Sequence, residues 1–424
     1  MPSPTNVTML PPGFYGLGIA PKLLQILDQL KFKVPTPIQF KSIPIAIQGT
    51  DMMGIAQTGT GKTLAYGIPL IQRLAQTSGI GLVVLPTREL ALQVNEAFQK
   101  IGKHIGLRTA VLIGGASMYN QIQDIRKLPH VLIVTPGRLI DHLEQKTVRL
   151  DHVKILVLDE ADRMLDMGFE PQIKRILQRL PTDRQTMLFS ATMPTTIVKI
   201  AESYMKLPVR VEIARSGTAA EKVAQEVFFV KKEDKLRLLQ KLLVEYHGTV
   251  LVFSRTKHGA KRMTRAVKQM GHTSAEIHSD RSLAQRRDAL DGFKNGKYRV
   301  LIATDIAARG IDVTGIELVV NFDLPDHTEE YIHRIGRTGR AGQSGRAISF
   351  ATPDQRRDVK DIERLTRTML PISRLPELPP HLQPEALQRH ESSPSHESRR
   401  PQRRMDYGRS SGPRRFQQRR SGRR

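Results

Sequence analysis

GIAQTGTGKT (residues 54–63) is the stretch on which the reading of this chain turns. From Ala56 onward it follows the phosphate-loop spacing G-x-x-x-x-G-K-S/T, with Ala56 in place of the first glycine and Gln57, Thr58, Gly59, Thr60, Gly61, Lys62 and Thr63 completing it. Glycines at these positions let consecutive backbone N–H groups turn inward on phosphate oxygens, and a helix starting near Lys62 adds its positive end. Lys62 neutralises charge, and the Thr63 hydroxyl is placed to reach Mg²⁺. The apolar DMMGIA (51–56) supplies the strand such a loop must follow. A kinase, a GTPase, a transporter motor and a helicase could all carry the same loop, so its company has to decide.

The bulk composition narrows the field. A chain of 424 residues exceeds one ordinary core and implies two domains plus extensions. Cysteine is absent, which removes disulfides, thiolate metal sites and cysteine nucleophiles. No apolar run approaches the roughly 18 residues of a membrane helix, and MPSPTNVTMLPPGF lacks a secretory pattern, so a soluble cytoplasmic protein is expected, with no membrane partner. The formal charge of +25 points to a polyanion. Part of it sits in the last 36 residues, Arg389 to Arg424, with twelve Arg and three acids. That tail offers almost nothing to a core and is expected to be disordered, a tethered polycation for a nucleic acid or a protein partner.

Short aliphatic runs at 81–85, 131–135, 154–159, 249–253, 299–304 and 318–322 read as parallel strands buried on both faces. Helically spaced stretches such as 89–101 and 260–270 lie between them, so the fold class is α/β, with mostly parallel sheets flanked by helices. The alternation pauses around 207–225. The boundaries expected are an extension 1–13, a first domain 14–208, a linker 209–222, a second domain 223–372 and a tail 373–424.

KILVL ends in Asp159-Glu160-Ala161-Asp162, which places two adjacent carboxylates at a strand's C-terminal edge, where α/β proteins bind ligands. Asp159 suits Mg²⁺, directly or through water, and Glu160 can polarise an attacking water. In the half of the chain without the loop, HRIGRTGR (333–340) gathers three arginines and a histidine. Such a cluster repels itself unless an anion sits among it, and it reads as an arginine finger, with Arg337 and Arg340 meeting a γ-phosphate across a cleft.

AQTGTGKT, DEAD, PTREL (86–90), TPGRL (135–139), SAT (190–192), ATDIAARGID (303–312) and HRIGRTGR, in this order, closely resemble the DEAD-box RNA helicases over residues 14–370. The resemblance implies two tandem RecA-like domains that hydrolyse ATP with Mg²⁺ and remodel RNA; a monomer is expected. It implies that Ala56 is no departure, that Phe14, Phe32 and Gln39 serve the adenine and Asp312 the ribose, and that His333 and Arg334 join the catalytic cleft and its links to the first domain. It further implies coupling through Asp162, Ser190, Thr192 and Arg334. RNA contacts are expected from Thr87, Arg88, Gly114, Gly115, Thr135, Gly137, Arg138, Thr304, Arg309 and Gly310, groups that suit phosphates and 2′-hydroxyls and not base edges. Lys31, Ser279 and Leu283 depart from the family pattern, and RTKHGA (255–260) with the tail leans toward the bacterial RhlE-type branch. A nucleotide-gated RNA clamp and a DNA-directed two-domain ATPase share the architecture and stand as the alternatives.

Overall fold

The computed structural model describes residues 13–57, 59–213, 223–305, 313, 315–339 and 345–380. Two parallel sheets organise them. The first comprises β1 (Met52–Ile55), β2 (Ile80–Val84), β3 (Thr109–Leu112), β4 (Val131–Val134), β5 (Val153–Leu158), β6 (Gln185–Ser190) and β7 (Val209–Glu212), in the order β3-β4-β2-β5-β6-β1-β7. The second comprises β8 (Val223–Phe229), β9 (Val250–Phe253), β10 (Ser274–Ile277), β11 (Val300–Ala303), β12 (Leu318–Asn321) and β13 (Gly345–Ala351), in the order β10-β11-β9-β12-β13-β8.

The uninterrupted aliphatic runs have a direct cause. Along β5, Ile155 and Val157 enter the core on one face of the sheet, while Leu156 and Leu158 enter the core on the other. With helices on both sides, no strand position is left for a polar residue unless a neighbour satisfies it. β6 is the instructive exception: it is buried throughout although it carries Gln185, Thr186 and Ser190. Gln185 Nε2 donates to the carbonyls of Ala46 and Thr50 at 2.8 and 3.0 Å, so partners distant in sequence make its polarity tolerable.

Two expected boundaries move. Residues 209–213, read as linker, belong to the first domain: β7 pairs in parallel with β1, and Ile213 N bonds Ile55 O at 3.1 Å. At the other end, residues past 372 are held to the second domain and are not tail. Ile372 bridges Val227, Ser373 Oγ bonds Glu226 Oε2 at 2.5 Å, and Arg237 Nε donates to Pro379 O at 2.6 Å. The rest of the expected linker and the Arg-rich tail lie outside the described residues. No helix among the described residues is long and apolar enough to cross a membrane.

Candidate functional site

Every strand that precedes a first-lobe motif delivers it to the same, C-terminal edge of the sheet. β1 runs into the phosphate loop, where Gly59 and Gly61 take φ of +85° and +90°, left-handed values that side chains avoid. Gly61 is also the N-cap of the helix Lys62–Leu74, and no side chain caps that end, so its first N–H groups face the loop. A Cβ on Gly61 would lie 2.3 Å from Gln39 Nε2, whereas one on Gly59 would meet nothing within 4 Å. Gln39 donates to Gly61 O at 3.0 Å and accepts from Thr36 N at 2.9 Å, so both its amide groups bind the chain. Gln39 thereby ties the segment at Thr36 to the phosphate loop. Phe14, expected at the base, is 3% exposed in the first-lobe core, and Phe32 at 39% presents the accessible ring. Thr60 Oγ1 donates to Gln57 O at 2.7 Å across the loop.

Lys62 is buried, with Nζ 3.8 Å from Asp159 Oδ1 and no hydrogen-bond partner for it among the described residues. A buried ammonium left this way beside an open glycine turn fits a phosphate chain. Asp159 is held by Tyr66 OH at 3.1 Å and accepts from Glu160 N at 2.8 Å; burial pushes its carboxyl up despite the pull of Lys62. Glu160 adopts φ +51°, ψ +51°, strained for a side chain of this kind. Burial pushes its carboxyl up too, but Arg163, Lys62 and Arg337 outweigh that and hold it at about 2. Asp162 turns away to the SAT segment, where its Oδ2 accepts from Ala191 N, Thr192 N and Thr192 Oγ1 at 3.0, 2.8 and 2.9 Å, while Ser190 Oγ accepts from Asp162 N at 3.2 Å. Asp162, Ser190 and Thr192 thus share one network, which does not include Arg334.

The second lobe reaches the same place. A cavity of about 300 Å³ is lined by Lys62, Glu160, Asp162, Arg163, Asp166 and Ala191 from one side and His327, Glu330, His333 and Arg337 from the other. Burial, then the neighbouring Arg337, lowers the His333 pKa, which favours the neutral ring. Arg334 corrects an expectation. Its guanidinium is anchored within its own lobe, to both Asp305 oxygens, to Asn321 Oδ1 at 3.3 Å and to Asp323 O at 2.6 Å, over the ring of Phe253. It braces the helix Thr328–Ile335 that carries His333, and its partners among the described residues lie in its own lobe. Other residues link the lobes: Arg286 Nη2 lies 2.9 Å from Glu89 Oε1, both side chains being 9% exposed, and Leu283 packs against the first-lobe core.

The expected RNA residues of the first lobe also converge. The Arg88 guanidinium lies against the Gly114-Gly115 turn so closely that a Cβ on Gly115 would sit 2.3 Å from Nη1. Arg138 Nη2 donates to Ala116 O at 3.3 Å just beyond that turn. Gly137 is open, whereas Thr87 and Thr135 are buried N-caps of the helices that follow them. In the second lobe Thr304 follows β11, partly exposed. Thr58, Arg309, Gly310, Asp312 and Arg340 lie outside the described residues. Sequence reasoning missed Tyr66, Glu89, Arg163, Arg286 and Asp305. Helical spacing was the available signal for two, since Tyr66 stands one turn from Lys62 and Arg163 one turn from Glu160.

A phosphate loop and paired carboxylates on one parallel-sheet lobe, faced by a histidine and an arginine from a second, define a two-lobed nucleotide hydrolase. The DEAD/DEAH box helicase domain matches residues 36–200 and the helicase conserved C-terminal domain residues 234–342. The DEAD-box ATP-dependent RNA helicase CshA of Bacillus cereus is 44% identical over 357 residues, 84% of this chain and 68% of the relative. Among solved structures, S. cerevisiae Dbp5 bound to RNA and ADP BeF3 is 32% identical with a TM-score of 0.75, over 86% of this chain and 95% of that one. Mss116p bound to ssRNA and AMP-PNP is 28% identical with a TM-score of 0.77, covering 85% and 78%. The chain belongs to the DEAD-box ATP-dependent RNA helicases.

Proposed function

We propose that ATP and RNA together hold the two lobes of this helicase against each other, and that the joined form grips one RNA strand along a path a duplex cannot follow. A few base pairs then separate locally, each stacking step costing about 1.4 kcal/mol in DNA terms. The observation that carries this reading is the cavity shared by Lys62 and Glu160 of one lobe and His333 and Arg337 of the other, since a ligand lying there touches both. Thr63 and Asp159 would hold the magnesium ion, which neutralises charge on the phosphate oxygens when bound. Lys62 and the glycine turn bind the phosphates, Glu160 orients the attacking water, and Arg337 stabilises the charge that develops on the transferred group. Loss of the terminal phosphate removes what both lobes share, so the lobes part and RNA leaves.

Arg88, the Gly114-Gly115 turn, Arg138 and Thr304 form the RNA face. Their guanidinium, backbone and hydroxyl donors favour phosphates and 2′-hydroxyls over base edges. The RhlE-type branch is proposed from RTKHGA and the Arg-rich tail alone. The test is steady-state ATP hydrolysis with RNA and with DNA of one sequence, alongside strand separation of a short RNA duplex. RNA stimulation together with separation is expected. Equal stimulation by DNA would favour a DNA-directed motor, and hydrolysis without separation would favour a clamp.

A further inference from the structure

Arg163 lines the interlobe cavity from the first lobe, has no part in the mechanism above and stands in direct contact with the hydrolytic carboxylate. It lies one helical turn after Glu160, in the helix Ala161–Asp166, and its side chain is 8% exposed. Nη1 donates to Glu160 Oε2, whereas Nε and Nη2 are buried with no hydrogen-bond partner among the described residues. A guanidinium so enclosed is unfavourable on structural grounds alone: three of its donors could be solvated if the side chain swung out of the cleft. Instead it faces the space between Glu160, Lys62, His333 and Arg337.

We propose that Arg163 is a positioning residue for ATP hydrolysis, fixing one carboxylate oxygen of Glu160 so that the other is aimed at the attacking water. The inference rests on the role given to Glu160 above. Arg163 acts through that carboxylate, and the three N–H donors on its Nε and Nη2 lie in the cleft, close to where the transferred phosphate would lie. A charge-assisted bond of this kind aligns a group whose misplacement by an ångström is costly to the rate and not to binding.

The experiment compares the full chain with Arg163→Gln and Arg163→Lys, each also in a Glu160→Gln background. Single-turnover ATP hydrolysis at saturating RNA is measured together with the affinity for a fluorescent ATP analogue, RNA affinity and melting temperature. Arg163→Gln should slow hydrolysis by about 10- to 100-fold while nucleotide and RNA affinities stay within twofold. Arg163→Lys, which keeps one donor, should recover part of the rate. With Glu160→Gln already present, Arg163→Gln should add almost nothing, because the two residues act as a unit. An unchanged or faster rate in Arg163→Gln overturns the inference, as does an undiminished effect in the Glu160→Gln background or a loss of affinity and melting temperature that accounts for the slowing. Absence of RNA-stimulated hydrolysis in the unaltered chain would instead overturn the parent reading, and this one with it.

Discussion

At the scale of single residues, the site depends on positions where a side chain, or the lack of one, is fixed from two directions. Gly61 must be glycine twice over, for its φ of +90° and for the Gln39 amide 2.3 Å from where its Cβ would stand. Gly61→Ala is therefore expected to abolish ATP binding and also to loosen the segment Thr36–Gln39. Titration with a fluorescent ATP analogue, compared with Gly59→Ala, checks this, because Gly59 has the φ constraint alone and should be the milder of the two. Glu160→Gln keeps the shape of the side chain but removes its charge. Turnover should stall while RNA remains bound in the presence of ATP, read by the release rate of a labelled oligoribonucleotide; rapid release would deny Glu160 its role.

Between elements, the informative contacts connect one strand's end with the next. Asp162, at the start of a short helix, ties β5 to the SAT segment after β6 with three acceptor contacts from one oxygen. Asp162→Ala removes the charged acceptor of two part-buried N–H groups and should cost about 1–3 kcal/mol in denaturant unfolding. ATP hydrolysis and duplex separation should also fall by different factors if the network carries coupling; equal falls would make it structural only. Between the lobes, the Arg286–Glu89 pair is almost wholly enclosed, so removing one partner strands a charge. Arg286→Met should weaken RNA binding at least about tenfold with an ATP analogue present and leave nucleotide-free RNA binding nearly unchanged. A double-mutant cycle with Glu89→Gln should return a coupling of about 1–3 kcal/mol. Leu283, where the family pattern has a polar residue, adds an apolar contact to this joint.

For the whole molecule, the charge of +25 is spread over both the folded portion and the tail. Deleting residues 389–424, with their twelve arginines, should flatten the salt dependence of RNA affinity and spare hydrolysis at saturating RNA; an identical slope would leave the tail without an electrostatic role. Much of this protein was legible in its sequence because parallel strands buried on both faces must be continuously aliphatic and phosphate loops must be glycine-rich. Both are local demands, met by consecutive residues. β6 and β8 escaped notice because polar residues within them are met by partners far along the chain, β10 because Ser274 and Glu276 interrupt its aliphatic pattern, and β7 because an edge strand needs little burial. The role of Arg334 moved for a related reason. A motif states which side chains are present, but whether an arginine crosses a cleft or braces its own helix depends on Asp305 and Asp323 waiting beside it. The sequence by itself determined the α/β class, the nucleotide chemistry and the family, since these rest on short spacings. Tertiary structure alone decided which lobe each charged group serves, that Glu89 meets Arg286, and that Arg163 holds Glu160, because electrostatic partnership depends on distance and burial in space and not on separation along the chain.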